Sequence, residues 1–157
     1  MKHISSFMII FILLTVGASA GERKPIKPAN ADKCPVCGMF VAKYPDFIAQ
    51  ILYKDGSYAL FDGPKDMLKY YFNFAKYAQG KRATDIDSLY VTDYYSLTPI
   101  DGFNAVYVLG SDVFGPMGRE LIPFAKRSDA EEFKKDHKGT SILKFGDITI
   151  TTITGLD

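Results

Sequence analysis

The stretch LFDGPKDMLKYY, residues 60–71, decides the fold because its pattern returns in PFAKRSDAEEFKK, residues 123–135. In each stretch a phenylalanine is followed after five residues by an aspartate and after nine by a second aromatic residue: Phe61, Asp66 and Tyr70, then Phe124, Asp129 and Phe133. Both stretches are predicted to run from a strand through a turn into a helix. The repeat therefore predicts an α+β protein of two similar strand–strand–helix–strand (ββαβ) units packed together.

The first unit is predicted around the first of these stretches. Residues 47–53 (FIAQILY) form a mostly apolar run typical of a buried strand, and residues 58–61 form the returning strand. The turn between them contains an Asp-Gly pair, which favours the positive φ angles of a hairpin. Pro64 suits the first turn of a helix, and apolar residues at helical spacing continue this helix to a stop at Gly80.

The second unit is predicted from residue 89 onward. Ser128 and Glu131 match a capping box, so a helix is expected from this point to about His137, with Gly139 as its stop. Strands are expected on both sides of this helix, at 89–95, 103–109, 121–124, 141–145 and 148–153. The predicted boundaries are therefore 34–88 for the first unit and 89–157 for the second.

The N-terminus is predicted to direct export. Lys2 precedes an apolar run at residues 7–16, and a small-residue Ala-Ser-Ala sequence follows, so residues 1–20 match a cleaved signal peptide. As a helix this apolar stretch spans about 21 Å, less than the ~30 Å hydrocarbon core of a bilayer. No cysteine follows it closely, so a lipidation cysteine is absent. A periplasmic protein with no stable membrane anchor after signal cleavage is expected.

Charge and composition narrow the possible partners. The chain has 19 Lys and Arg against 18 Asp and Glu, and removal of Lys2 with the signal peptide makes the two numbers equal. A balanced charge argues against a nucleic-acid partner. Residues 21–33 carry prolines and charges but almost no apolar side chains, which predicts a flexible leader. The folded domain is expected at 34–157, with ten Tyr and twelve Phe to fill its core.

Both cysteines of the chain lie in KCPVCGMF, residues 33–40, and several kinds of site are consistent with them. A disulfide between Cys34 and Cys37 fits an exported protein, although so short a loop contributes only about 2 kcal/mol. A zinc site needs four ligands, and without a second cysteine pair carboxylates would have to complete it. A thioredoxin-like redox pair needs its first cysteine at a helix N-terminus, which Pro35 and Gly38 disfavour.

A soft-metal site uses more of this stretch than the other three. Thiolate and thioether are the ligands that select Cu(I). Met39 lies two residues after Cys37, so in an extended segment their side chains fall on the same side, and Cys34 folds back through the turn. Met117 lies in a Gly-Pro-Met-Gly turn, where the alternative is a partly exposed methionine that fills a gap. The repeat places Met39 and Met117 at equivalent points of the two units, facing each other.

Four segments of the chain together resemble the NosL family. They are CPVCGMFV (34–41), DGSYALFDGPKDMLKYY (55–71), VTDYYSLTPIDGFNAVYVLGS (91–111) and GPMGRELIPFAKRSDAEEFKKDHKGTSILKFGDI (115–148). Proteins of this family bind Cu(I) outside the cytoplasmic membrane and assist assembly of the copper sites of nitrous oxide reductase. The resemblance implies a fold of two ββαβ units akin to a domain of organomercurial lyase.

The resemblance also implies a set of copper ligands. Cys37 and Met39 of the Cys-Gly-Met element are the first candidates, and Cys34 and Met117 are the next. His137 is a possible extra ligand, because family members often carry His-Gly before the last strands. The alternative for His137 is a solvated residue at the C-terminus of a helix, where the helix dipole favours it.

The sequence therefore predicts a periplasmic Cu(I) metallochaperone that is not an enzyme and that delivers copper for assembly of nitrous oxide reductase. Its expected partners are this client and a copper exporter or ABC transporter. A copper carrier for another exported cuproenzyme is one alternative. A thiol–disulfide oxidoreductase that uses Cys34 and Cys37 is a second, and an exported domain with a local disulfide is a third.

Overall fold

Strands and helices are described for residues 23–157 of this computed structural model, and the predicted signal peptide at 1–20 lies outside that range. The strands are β1 (Ala49–Tyr53), β2 (Tyr58–Phe61), β3 (Ile86–Thr92), β4 (Pro99–Asp101), β5 (Val106–Leu109), β6 (Phe114–Gly115), β7 (Gly118–Arg119), β8 (Ile122–Phe124) and β9 (Ser141–Lys144). The helices are α1 (Pro64–Tyr71), α2 (Phe74–Tyr77), α3 (Arg127–Asp136) and α4 (Ile150–Thr154). Within the described range, no helix is long and apolar enough to cross a membrane.

The two predicted ββαβ units are present, and they share one topology. In the first unit β1, β2, α1 and β3 follow one another, and the sheet order is β2-β1-β3, with β4 added beside β3. In the second unit β5, β8, α3 and β9 follow in the same way, with the sheet order β8-β5-β9. The first strand of each unit lies in the middle and pairs antiparallel with both neighbours. The predicted α+β class and duplication are confirmed.

The predicted boundary between the units, at 88/89, is wrong because it cuts through β3. This strand pairs with β1 along its length, from Val91 opposite Ala49 to Ile86 opposite Tyr53. Strand β4 pairs with β3 in turn, so the first sheet extends to residue 101. A ββαβ unit places its third strand beside its first, and that pairing decides where the unit ends.

The capping box predicted for the second helix is also wrong. Helix α3 begins at Arg127, and its N-cap residue, Lys126, makes no side-chain capping hydrogen bond. The Glu131 carboxylate pairs with the Arg127 guanidinium at 2.9 Å instead. The Ser128 hydroxyl donates to Asp129, so both capping partners are occupied by their neighbours in the first turn.

The last predicted strand, 148–153, is largely helical. Thr149 caps α4 by accepting a hydrogen bond from the amide of Thr152, which satisfies one of the free donors of the first turn. The helix buries Ile153 in the larger core cluster, which takes side chains from both units, and Leu156 after it is buried there too. These two residues lie three positions apart in the sequence, a helical spacing that the β-branched run had obscured.

The helix predicted from Pro64 to Gly80 is broken near its middle. Helix α1 ends at Tyr71, and the Asn73 side chain then accepts a hydrogen bond from the amide of Lys76 at the start of α2. Asparagine competes in this way with the backbone hydrogen bonds that would continue a helix.

The flexible leader predicted at 21–33 instead lies along the first sheet in its described part. The Arg23 guanidinium donates to the carbonyl of Tyr53 at 2.9 Å. The Gln50 side chain accepts from the amide of Ile26 and donates to its carbonyl, each at 2.8 Å. The buried Gln50 side chain of β1 therefore holds this segment in place. Because that side chain belongs to the sheet, the composition of residues 21–33 could not predict the contact.

The start of α1 joins the two units. The buried Glu120 carboxyl group, which comes from the chain just before β8, accepts the amides of Lys65 at 2.6 Å and of Leu121 at 2.9 Å. A carboxyl oxygen at this point satisfies an N–H group that the helix itself leaves free. A Cβ atom on Gly63 would lie 2.3 Å from Glu120 Oε2, so only glycine leaves room for this contact.

A second contact between the two units lies at the end of β3. The Asp93 carboxylate accepts the amide of Ala125 at 2.7 Å, and the amide of Tyr94 donates to the carbonyl of Pro123 at 3.0 Å. Burial acts to raise the pKa of Asp93, but hydrogen bonds from Ser96, Ala125 and Tyr95 outweigh it and lower the pKa. Asp93 is therefore an ionised carboxylate in this contact between the two units.

Gly63→Ala should destabilise the protein, because the new methyl group would overlap the Glu120 carboxylate. Overpacking of this kind costs about 1–3 kcal/mol, and a displaced Glu120 would also leave the amide of Lys65 without its acceptor. Urea unfolding of the metal-free protein measures the loss in free energy. Gly146→Ala is the control, since a Cβ at that position meets nothing within 4 Å. Equal stability of the two variants would contradict this account of the junction.

Candidate metal centre

The cysteine motif folds into a tight turn before β1. The amide of Gly38 donates to the carbonyl of Cys34, and the amide of Cys34 donates to the carbonyl of Met39, both at 2.9 Å. Gly38 has a φ angle of +81°, which residues with a side chain rarely adopt. A bridge between Lys33 and Phe40 closes the base of the turn. The turn brings the two cysteine sulfur atoms within 4.8 Å of each other.

Two aspartates at the start of α1 complete the group. Asp62 follows β2 directly, and Asp66 lies in the first turn of α1. Their side chains are 0% and 2% exposed. The thiol of Cys37 donates to Asp62 Oδ1 at 3.2 Å, and the thiol of Cys34 donates to Asp66 Oδ2 at 3.4 Å. Each cysteine of the turn therefore faces its own carboxylate from the strand–helix junction.

Cys34, Cys37, Asp62 and Asp66 form what we call the Cys–Asp cluster. One ligand atom from each residue lies within 4.8 Å of the other three. Both cysteines are free thiols; Cys34 is buried and Cys37 is half-buried, so Cys37 is the more accessible. The Oδ2 atom of Asp62 is buried and has no hydrogen-bond partner in the described part of the chain. A buried oxygen of this kind destabilises a protein, and a cation bound beside it would remove that cost.

The environment keeps both thiols protonated at neutral pH. Burial raises the pKa of Cys34 to about 12 and raises the pKa of Cys37 well above its usual range. Hydrogen bonds from backbone amides in the turn oppose this effect, while the two neighbouring carboxylates add to it. A metal ion that binds these sulfurs must therefore displace their protons.

Lys65 links the start of α1 to the second unit. Its buried ammonium group donates to the carbonyl of Met117 at 2.7 Å and lies 3.6 Å from the carboxylate of Asp157. Pro116, beside Met117, has its Cδ atom 3.9 Å from the Cβ position of Gly63. These contacts hold the hairpin of β6 and β7 against the helix turn that carries Asp66.

The two methionines predicted as ligands come from different places in the fold. Met39 is half-buried in the cysteine turn, while Met117 lies between β6 and β7 and is 43% exposed. Met39 precedes the first strand of its unit, whereas Met117 lies between the first and second strands of its own. The prediction that they occupy equivalent points is therefore wrong, because the β6–β7 hairpin has no counterpart in the short turn between β1 and β2. Their role as ligands stays a prediction.

His137 lies in different surroundings from the Cys–Asp cluster. Its Nδ1 atom is 3.0 Å from Asp112 Oδ1, and its ring stacks on Phe133 with centroids 4.4 Å apart. Phe133 belongs to the smaller apolar cluster, which lies mostly in the second unit, whereas Cys34 belongs to the larger cluster, which takes side chains from both units. The structure does not bring His137 into the Cys–Asp cluster, and its role as a ligand stays a prediction.

Asp62 and Asp66 are the residues of this centre that sequence reasoning missed. Both stand in the stretch that predicts the fold, where Asp62 marks the start of the helix and Asp66 belongs to the repeat. A signal was present, since two acids four residues apart flank the start of a helix. Nothing in the spacing connects them with the cysteine motif, which lies more than twenty residues earlier.

Comparisons with known proteins agree with this architecture. A sequence profile of the NosL family matches residues 25–153. The copper-binding lipoprotein NosL of Stutzerimonas stutzeri is 27% identical over an alignment that covers 94% of this chain and 82% of that protein. The crystal structure of the copper chaperone NosL from Shewanella denitrificans superposes with a TM-score of 0.67 at 24% identity, covering 82% of this chain and 97% of that chain.

A solution structure of apo-NosL from Achromobacter cycloclastes is also similar, with a TM-score of 0.46 at 26% identity over 67% of this chain and 87% of that one. The Shewanella superposition supports the fold of two ββαβ units. The family profile covers almost all of the described residues, including the cysteine turn, the start of α1 and the β6–β7 hairpin. The resemblance seen in the sequence is thereby confirmed, and the chain belongs to the NosL family.

Proposed function

We propose that this protein is a metallochaperone that carries Cu(I) as its cargo outside the cytoplasmic membrane and delivers it for assembly of nitrous oxide reductase. The observation that carries the proposal is the pair of free thiols in one turn, where Cys34 is buried and Cys37 is accessible. Two thiolates select Cu(I) over hard cations. The copper-binding proteins among its relatives support the same cargo.

Four soft side chains are proposed to hold the ion. Cys34 and Cys37 supply thiolates, and Met39 and Met117 supply thioethers. Support for Met39 comes from its place two residues after Cys37 in the same turn. Support for Met117 comes from the Lys65 hydrogen bond, which holds its hairpin against α1. His137 is the weakest candidate, because it would have to leave Asp112 and Phe133 to reach the ion.

Release of the ion is proposed to begin at Cys37. This side chain is half-buried whereas Cys34 is buried, so a sulfur or nitrogen ligand of the client reaches Cys37 first. The exposed Met117 offers a second point at which ligands can be exchanged. Stepwise replacement keeps the ion bound throughout the transfer, which requires no catalysis by this protein.

The remaining parts of the proposal concern where the protein works. The N-terminal sequence pattern supports export to the periplasm, and a copper exporter or ABC transporter would supply the ion there. The lipoprotein relative supports a place outside the cytoplasmic membrane. Another exported cuproenzyme is the alternative client.

The Cys34–Cys37 pair is less suited to thiol–disulfide exchange. An oxidoreductase needs a thiol whose pKa is lowered, so that a thiolate is present near neutral pH. Here burial raises the pKa of both thiols. The carrier is therefore preferred to the oxidoreductase.

Cu(I) titration of the reduced protein under nitrogen, against a chromophoric chelator, tests the proposed ligands. Cys37→Ser, Met39→Leu and Met117→Leu should each weaken binding by at least about tenfold, since even an outer-shell partner of a metal ligand contributes that much. Met67→Leu is the control, because Met67 lies in the core of α1 and should leave the affinity unchanged. Wild-type Cu(I) affinity in all three variants would contradict the proposed copper site. Wild-type affinity in Met117→Leu alone would mean that the β6–β7 hairpin does not contribute a ligand.

The apparent Cu(I) affinity should rise with pH. Both thiols have raised pKa values and are protonated in the metal-free protein, so each bound thiolate releases one proton. Between pH 6 and 8 the affinity should therefore increase by up to about tenfold per pH unit for each thiolate. Competition titrations at several pH values, corrected for protonation of the chelator, measure this slope. An affinity independent of pH would mean that the thiols are not the ligands.

Alkylation kinetics test the oxidoreductase alternative. At pH 7 iodoacetamide should react with Cys37 more slowly in the folded protein than in the protein unfolded in urea. In the unfolded chain the thiol has an ordinary pKa of about 8.5. Burial causes the difference, and the rate in the folded protein should keep rising above pH 9. A folded-state rate that exceeds the unfolded rate at pH 7 would reveal a reactive thiolate and favour the oxidoreductase.

A further inference from the structure

We propose that the outer edge of β2 binds an extended segment of the protein that accepts the copper, so that this segment joins the first sheet as a further strand. The segment carries an acidic residue that faces Lys33. The identity of the partner rests on the proposed function, whereas the binding edge rests on the structure of the first unit alone.

The register of the β1–β2 hairpin shows which backbone groups of β2 are free. The amide of Tyr53 donates to the carbonyl of Ser57 at 2.9 Å, and bonded and non-bonded pairs alternate along an antiparallel ladder. The amides and carbonyls of Tyr58 and Leu60 therefore point away from β1. These groups have no hydrogen-bond partner in the described part of the chain, although Leu60 is only 3% exposed. An added strand would satisfy them.

The edge of β2 lacks the residues that protect the other edges of the two larger sheets. Strand β4 contains Pro99, β8 contains Pro123 and β9 contains Lys144. Proline and lysine at an edge discourage pairing with another chain. Strand β2 has the sequence YALF, with neither proline nor lysine. Its edge is therefore the one most open to an incoming strand within the described residues.

A groove of about 200 Å³ lies beside this edge and suits a single strand. Strand β2 contributes part of its wall, and Asp32, Lys33 and Pro35 contribute another part. The rings of Tyr70 and Tyr77 complete an aromatic lining. A second copy of this chain would bring its own residues 32–35 to the same place. The groove therefore favours one extended segment over the edge of a second sheet.

Two lysines beside the groove determine the charge of the segment. The Nζ atoms of Lys33 and Lys43 lie 4.9 Å and 5.5 Å from the centroid of the Phe40 ring, which is 39% exposed. Neither lysine has an ion pair among the described residues. Asp32, the acid nearest to them in the sequence, accepts the amide of Ala29 at 2.7 Å. An acidic residue on the partner complements these two charges.

The position of the groove indicates which protein the segment belongs to. Lys33 directly precedes Cys34, and Pro35 lies between the two cysteines in the turn. A segment held in the groove is thus next to the turn from which Cys37 is proposed to release the ion. The acceptor of the copper is the partner that gains from binding there, because docking brings its own ligands to the cargo.

Amide hydrogen exchange with residue resolution tests the edge. In the free protein the amide of Tyr58 should exchange at least about tenfold faster than that of Ala59, which is bonded to β1. Metal-free nitrous oxide reductase, the proposed client, is the probe. Its binding should slow exchange at Tyr58 and Leu60 by at least about tenfold and leave Val108 of β5 unchanged. No binding, or binding without this protection, would overturn the proposal.

A proline variant tests the main-chain pairing. Tyr58→Pro removes an outward N–H and leaves the bonds to β1 intact, as edge prolines do. It should weaken client binding at least about tenfold more than Tyr58→Thr, the matched control that keeps the N–H but loses the ring. Equal binding by these two variants would overturn the pairing. If Tyr58→Pro fails to fold, as judged by circular dichroism, the exchange measurement on the wild type decides.

A charge reversal tests the acidic residue of the segment. Lys33→Glu should weaken client binding and reduce its dependence on salt, since a favourable charge pair becomes repulsive. Lys126→Glu is the matched control, because Lys126 is an exposed lysine of the second unit and should leave binding unchanged. Equal effects of the two reversals would contradict an acidic residue opposite Lys33.

The outcomes separate this inference from the copper proposal. Copper transfer to the client that is as fast in Tyr58→Pro as in wild type overturns the docking edge and leaves the carrier in place. Protection of Tyr58 and Leu60 by the client, without measurable Cu(I) binding, supports the docking edge and overturns the copper proposal. The same protection without client, appearing as the protein concentration rises, would identify a second copy as the occupant and overturn the proposed partner.

Discussion

The contact between the Glu120 carboxyl group and the first turn of α1 is the constraint on which the metal centre depends. It crosses from the second unit to the first, and Gly63 makes it possible by presenting no Cβ. Burial raises the pKa of Glu120 to about 8, while the amides of Leu121 and Lys65 act against this rise. The same turn directs Asp66 toward the cysteines and Lys65 toward the Met117 hairpin. The packing of the two units therefore sets the position of the proposed ligands.

The Cys–Asp cluster has the composition of a binding site more than that of a core. Two carboxylates and two thiols lie at the larger apolar cluster, which takes side chains from both units, and one oxygen has no partner in the described part of the chain. A set of apolar residues of the same volume would stabilise the metal-free fold better. Such local conflicts between stability and composition concentrate where a protein functions. A cation bound in place of the thiol protons would relieve this conflict.

The thiols and the carboxylates of the Cys–Asp cluster come from different elements. The two thiols lie on the cysteine turn, and the two buried carboxylates lie at the start of α1. Raw affinity discriminates poorly among transition metals, so proteins select by ligand type and geometry. Lys65 at the start of α1 also holds the β6–β7 hairpin, through its hydrogen bond to the carbonyl of Met117.

The sequence by itself determined the duplicated ββαβ plan, the strand pair β1–β2 and the tight turn of the cysteine motif, because periodicity and turn residues act between neighbours along the chain. The composition of residues 23–33 predicts a flexible leader, but the structure holds them against the first sheet. The apolar pattern at residues 148–153 predicts a strand, but packing of α4 on the core outweighs the β propensity of Ile150–Thr154. Only the tertiary structure decided that β3 closes the first sheet and that Asp62 and Asp66 meet Cys37 and Cys34. Those pairings join residues far apart in the chain, and the physical reason for them is the packing of α1 against the sheet and against Glu120.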